Sequence, residues 1–193
     1  MNIEIKESYH ENGSIFLREY YLGEVLHRED GPAYEYFRID GTPQVCKWFI
    51  AGKLHREDGP AHETFTKDGT LSIRMWYIND QIHREDGPAS ESFRTDGGRY
   101  SRSWHLNNLC HREDGPAYES FHANGTVMRK EWHFDDDYHR CDGPAIECFS
   151  STGRRVSVKY YLNGDLILKS EYQRRVALLK LAANSVLSSE IRL

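Results

Sequence analysis

At 193 residues, 38% hydrophobic and 28% charged, the chain is long enough for one domain but lean for a thick globule. A net charge of -5 argues against tracking nucleic-acid phosphates, and no apolar run approaches the length that spans a bilayer. The opening residues lack the apolar core of a signal peptide, and Cys46, Cys110, Cys141 and Cys148 show no metal-finger spacing, so reduced thiols in the cytoplasm are expected (the host cytoplasm if the chain is viral).

In chain order, the first element is a worn repeat in residues 1–25, marked by Glu7, Tyr9, Asn12-Gly13 and Tyr20. Five full repeats follow in 26–165, with a fixed period of 28 residues. Each opens on His-Arg-Glu-Asp-Gly-Pro-Ala, beginning at His27, His55, His83, His111 and, with Cys141 in place of the Glu, at His139. A period in this range marks an array whose units are stabilised by their neighbours. The predicted fold is mainly β: a single-layer antiparallel array of β-hairpins over 1–166, closed by a C-terminal helix in 167–193.

Within a repeat, Ala33–Ile39 reads as a strand, Asp40-Gly41 as a tight turn with positive φ, and Val45–Ile50 as the return strand. Ala51-Gly52 and its equivalents end that strand, and the heptapeptide forms the longer turn. Alternation puts Trp48, Trp76, Trp104, Trp132 and Tyr160 on one face with Ile50, Ile78, Leu106, Phe134 and Leu162, an expected apolar spine shared with the Phe column. Tyr21, Phe49, Tyr77, His105, His133 and Tyr161 point to the opposite face and form the candidate binding row.

The heptapeptide is expected to be structural at His27, Arg28, Asp30, His55, Arg56, Asp58, His83, Arg84, Asp86, His111, Arg112, Asp114, His139, Arg140 and Asp142. Gly would tolerate an unusual backbone, Pro fixes φ, Asp holds its own following amides, Arg meets the Glu that follows the Ala, and His stitches one turn to the next. Successive copies stand roughly 10 Å apart, two strand spacings, whereas zinc needs its ligands at about 2.0–2.3 Å, so no metal is expected. No Ser, Cys or Lys nucleophile stands beside a base in a unique pocket, and no phosphate loop occurs, so neither catalysis nor a cofactor is expected.

In the tail, Ser170-Glu171-Tyr172-Gln173 reads as a capping box, and Tyr172, Val176, Leu179, Ala183, Val186 and Leu187 share a helical face. Arg174, Arg175 and Lys180 lie mostly elsewhere. The helix would cap the last strand or serve as a homo-oligomer contact.

The spacing aromatic, Asn-Gly, His, Gly and Asp-Gly, as at Tyr161, Asn163-Gly164-Asp165, His111, Gly115 and Asn124-Gly125, resembles MORN repeats and their degenerate relatives. Two departures stand out: the unit is longer than usual, and Asp-Gly-Pro-Ala replaces the Gly-x-Gly that opens the second strand. The resemblance implies a non-catalytic scaffold or recognition surface of the kind found in bacteria, phages and large DNA viruses. The expected function is binding of a protein partner along the sheet, as an inhibitor, antitoxin or host-factor binder. No membrane and no double-stranded nucleic acid enter this reading. The alternative is a sponge for a small nucleotide ligand, held between the ring row and Arg74, Arg102, Arg129 and Lys130, and a hydrolase using the His-Arg-Glu-Asp string is the third reading.

Overall fold

A computed structural model describes residues 2–178. As the 28-residue period requires, one long antiparallel sheet runs through the array, without closing into a barrel. Its edge strand Ile3–Tyr9 pairs with Ile15–Leu22, and the order then follows the chain through Tyr34–Phe37, Pro43–Lys47, His62–Phe65, Leu71–Met75, Ser90–Phe93, Arg99–Ser103, Tyr118–Phe121, Val127–Glu131, Ile146–Phe149 and Arg155–Leu162.

The return strand does not continue straight past the Trp. Trp48 is a hinge: its N–H donates to the Ala61 carbonyl at 2.8 Å, holding the sheet, while its carbonyl accepts from the His55 N–H at 3.0 Å. Beyond it Phe49–Ile50 leaves the sheet and pairs with Lys53–Leu54 as a separate two-stranded hairpin. The same small hairpin recurs at Tyr77–Ile78 with Gln81–Ile82, His105–Leu106 with Leu109–Cys110, and His133–Phe134 with Asp137–Tyr138. These hairpins stack on one another. The Leu54 carbonyl accepts from Asp80 N–H at 2.9 Å, and Leu54 N–H donates to Asp80 Oδ1 at 2.8 Å. Each of the first four full repeats therefore contributes to two lanes, a wide one and a narrow one, whereas in the fifth Arg155–Leu162 runs on through Tyr160 and pairs with Asp165–Ile167.

The two turns exchange the roles expected of them. Ala51-Gly52, Asn79-Asp80, Asn107-Asn108, Asp135-Asp136 and Asn163-Gly164 all have positive φ at both positions, the signature of a two-residue type I′ turn. At Asp40-Gly41 only the Gly is positive, at 82°. Arg38 N–H donates to the Thr42 carbonyl at 2.9 Å around a three-residue loop, and the register slips between Tyr36 and Phe37. Asp40 Oδ1 closes this loop by accepting from Thr42 N–H at 2.9 Å, so the Asp-Gly pair builds a bulged turn.

The expected spine is also thinner than a Trp core. The fully buried apolar column is Ala33, Ala61, Ala89, Ala117 and Ala145, each 0% exposed, while the four Trp side chains are only half-buried. A larger residue in the Ala column would cost roughly 1–3 kcal/mol of overpacking.

The ends differ. At the C-terminal end a helix over 169–178 lays Tyr172, 6% exposed, against Tyr160 with ring centroids 4.8 Å apart. Its first bond runs from Tyr172 N–H to the Leu168 carbonyl, at 2.9 Å. Leu168 is thus the cap, not Ser170, which sits exposed inside the first turn. Docking of Tyr172 on Tyr160 sets the start of the helix, and Glu171 is turned outward to Arg174 and Arg175. Leu179, Lys180, Ala183, Val186 and Leu187 lie outside the described residues. At the N-terminal end no strand among the described residues covers Ile3–Tyr9, whose Ile3 and Ile5 are exposed.

Candidate functional site: the clefts between heptapeptides

Each heptapeptide folds over the face that carries the Ala and Trp columns. Arg56 Nε donates to Asp58 Oδ1 at 2.8 Å, its Nη1 to the Pro60 carbonyl at 3.3 Å, and its guanidinium lies 4.4 Å from the centroid of Trp48. Arg84, Arg112 and Arg140 repeat this on Trp76, Trp104 and Trp132 at 4.1, 4.0 and 3.8 Å, and Arg28 does so on Tyr20 at 4.1 Å. A delocalised cation over an aromatic face is attracted by the ring quadrupole. The Arg hydrogen bond and charge hold the Asp30, Asp58, Asp86 and Asp114 carboxyls below the usual range.

The glycine of the motif is needed for closeness, not for an unusual backbone. Gly59 has no positive φ, but a Cβ there would stand 2.9 Å from Arg56 Cζ. The guanidinium occupies the space a side chain would take.

The His stitches the start of each repeat to the type I′ turn near its end. The N–H groups of Ala51, Asn79, Asn107 and Asn163, each the first residue of a type I′ turn, donate to Nδ1 of His27, His55, His83 and His139 at 3.0–3.2 Å. At His111 the Nδ1 lies 3.4 Å from the donating Asp135 N–H and also faces the Asp135 carboxylate at 2.8 Å.

Between neighbouring heptapeptides lie clefts. One of about 480 Å³ separates those of His27 and His55, with Trp48 and Ile50 as its floor. Equivalent clefts of about 420 and 610 Å³ lie over Trp104 and Trp132. A fourth, of about 760 Å³, ends the row over Tyr20, Leu22, Ile3 and Ile5. Their rims are acidic: Glu29, Asp30, Glu57, Asp58, Glu85, Asp86, Glu113, Asp114 and Asp142 have side chains 79–88% exposed. Each Asp is paired with its Arg, so the unneutralised charge of each of the first four copies is the Glu.

The floor continues into a row of cross-strand pairs on the same face. Arg74 stands between Glu63 and Glu91, Arg102 between Glu91 and Glu119, and Lys130 between Glu119 and Glu147. Arg74 holds Glu91 through Nε and Nη2 at 2.7 and 2.6 Å, and Arg102 holds Glu119 through the same two atoms at 2.6 Å. Two residues that sequence reasoning placed near the ring row are thereby committed elsewhere. Arg74 and Arg102 also lie over Trp76 and Trp104, on the face opposite Tyr77 and His105, and Lys130 shares their row. Of the four cations only Arg129 is on the ring side, where it pairs with Glu131. The nucleotide-sponge arrangement of rings facing those cations is therefore not formed.

The ring row itself is half-buried, and the polar atoms of Tyr77, His105 and His133 are engaged. Tyr77 Oη reaches Met75 Sδ at 3.8 Å, His105 Nε2 reaches Ser103 Oγ at 2.9 Å, and His133 Nε2 meets Glu131 Oε2 at 3.1 Å. Tyr138 stacks between His133 and Tyr161 at 4.4 and 4.9 Å, and Lys6 covers Tyr21 at 4.4 Å. Phe49 packs in the small hairpin opposite Leu54. Equivalent positions titrate differently. Burial pushes the His105 imidazole down. At His133 burial works the same way, but Glu131 and the Asp136 carbonyl outweigh it and raise the imidazole above its usual value.

The four thiols are unpaired with one another. No group of three or more His, Cys, Asp or Glu among the described residues is placed to hold a metal, and no described helix is long and apolar enough to cross a membrane. No protein-family model matches the chain, and no curated protein matches it.

Proposed function

We propose that the chain is a non-catalytic recognition module that binds a protein partner along the row of clefts, taking an extended segment that carries Lys or Arg. The observation behind this reading is the repetition of one cleft, apolar at the Trp and Ile floor and acidic at the rim. A long cationic side chain suits such a cleft, its methylene stem on the floor and its charge at the Glu. The pitch suits it as well. Successive clefts are roughly 10 Å apart, and every third residue of a polyproline II segment, which has three residues per turn, lies on one face and advances by about 9 Å. The ring row is the weaker candidate because Tyr77, His105 and His133 already have partners within the fold. Acting as an inhibitor or antitoxin would follow from occupying a basic segment of the partner.

The test is fluorescence anisotropy with a labelled peptide of about twelve residues bearing Lys at every third position, against the same peptide bearing Glu. The Lys peptide should bind, weaken as salt rises, and weaken further with Glu57→Gln, Glu85→Gln and Glu113→Gln combined. Equal binding of both peptides would overturn the reading. Loss of binding on changing Tyr77, His105 and His133 to Ser, with the triple Gln variant unaffected, would move the surface to the ring row.

A further inference from the structure

The first strand carries a row of backbone groups that no other strand among the described residues meets. Tyr20, which stands opposite Ile5, donates its N–H to the Ala33 carbonyl and accepts the His27 N–H. Both of its main-chain groups therefore point away from Ile5. Such a pair is of the non-hydrogen-bonded kind, so the N–H and carbonyl of Ile5 point out of the sheet edge. Alternation gives Ile3 and Glu7 the same direction, and the register with the second strand runs unbroken from Ile3 to Ser8. The side chains are open as well. Ile3 and Ile5 are 43% and 55% exposed on the floor of the end cleft, and Glu4 and Lys6 stand exposed on the opposite face.

An open edge is a template for a further strand. The run Ile3-Glu4-Ile5-Lys6-Glu7 is complementary to itself. A two-fold axis through Ile5 sets Ile5 against Ile5 of a second copy and Ile3 against its Glu7. These are outward-pointing residues on both strands, so each pair exchanges both main-chain bonds. The same axis sets Glu4 against Lys6 on either side of the centre, in non-hydrogen-bonded pairs whose Cα atoms stand about 4.5 Å apart. Axes through Glu4, Lys6 or Glu7 would set a charged residue against its own copy, which is destabilising. A Lys on an edge ordinarily guards against pairing, but here Glu4 answers it.

We infer that a second copy of this chain docks on the first strand, antiparallel about Ile5. The two sheets then run on as one, and the two end clefts meet over adjoining Ile5 side chains. The contact is short, as in weak and transient complexes, so the dimer forms in a concentration-dependent equilibrium.

The experiment is sedimentation velocity on the full chain across a range of concentrations. The native chain should pass from monomer to dimer as concentration rises, with no larger species. Glu4→Lys and Lys6→Glu should each weaken self-association roughly tenfold or more, because two attractive pairs become two repulsive ones. Mixed together, the two variants should associate with each other as the native chain does with itself, since every Lys then faces a Glu. Exchanging both charges within one chain should restore the dimer, and this variant decides the matter if a single change prevents folding. A native chain that stays monomeric, growth beyond the dimer, single variants that dimerise like the native chain, or a charge exchange that restores nothing would overturn the inference.

Discussion

The row of cross-strand charges beneath the clefts is complete in the middle of the array and broken near its start. At Arg74, Glu91, Arg102 and Glu119 acid and base alternate in register, and Glu91 and Glu119 are only 2% and 5% exposed. One and two repeats earlier the register is Glu35, Cys46 and Glu63, with a neutral thiol between two carboxylates. Glu63 is then pushed up by burial, against the lowering effect of Arg56 and Arg74, and Glu35 leaves a buried oxygen without a hydrogen-bond partner. The backbone is the same in both regions. The difference shows that a thin sheet buries a carboxylate well only where both cross-strand neighbours supply a cation.

The largest expected effect comes from breaking the intact region. Glu119→Ala strips Arg102 of its two-bond partner and should cost about 1.5–3 kcal/mol in urea unfolding, the range for hydrogen bonds to charged groups. Glu35→Ala should cost less than about 1 kcal/mol, because Arg18 and Arg28 approach Glu35 only to 3.9 and 3.7 Å. Equal losses would remove the distinction between the two regions.

Repairing the broken region should give a smaller change of opposite sign. Cys46→Arg places a cation between Glu35 and Glu63 and should add roughly 0.2–1 kcal/mol per cross-strand pair. The gain depends on pH. Because the Glu63 carboxyl is raised in the fold, the native chain loses stability as pH climbs from the ordinary value of 4.5 through the raised one. The substitution should therefore help most above that window and little below it, which urea melts at acid and neutral pH would show.

The smallest effect belongs to the ring face, where His105 beside Ser103 and His133 beside Glu131 form the same contrast. Nuclear magnetic resonance titration should place His105 below and His133 above the ordinary 6.5. His133 stabilises the fold below 6.5 and loses that contribution as pH rises through its raised value, whereas His105 costs stability as pH falls below 6.5. Glu131→Ser should bring His133 down to the behaviour of His105. An unchanged His133 titration would mean that Glu131 is not the cause.

The heptapeptide shows how far residues alone could be read. Its Arg was legible as a donor and its His as a stitch because only their chemistry was needed, but the partner of the Arg is the Asp two residues on and the Trp eight residues before it, with the Glu column at a greater distance. The Gly looked like a backbone device and is instead a space for a guanidinium. Glu29, Glu57, Glu85 and Glu113 carried a signal, since they repeat without an internal partner closer than 3.7 Å, yet their exposure is a property of the folded rim.

The sequence by itself determined the period, the antiparallel hairpins and the alternation of faces, because these depend on turn residues and on the two-residue repeat of a strand, both local. The tertiary structure decided that the return strand bends at each Trp, that a second lane of small hairpins stacks beside the sheet, and that Arg74 and Arg102 belong to the Trp face. Those outcomes depend on which backbone groups of the next repeat lie within hydrogen-bond reach. The Trp N–H is taken by an Ala carbonyl thirteen residues on, in the next repeat, and the first N–H of the type I′ turn by the His that opens the same repeat. The first crosses from one 28-residue unit to the next and the second spans most of a unit, so both are set by how the folded repeats stack and not by neighbouring residues.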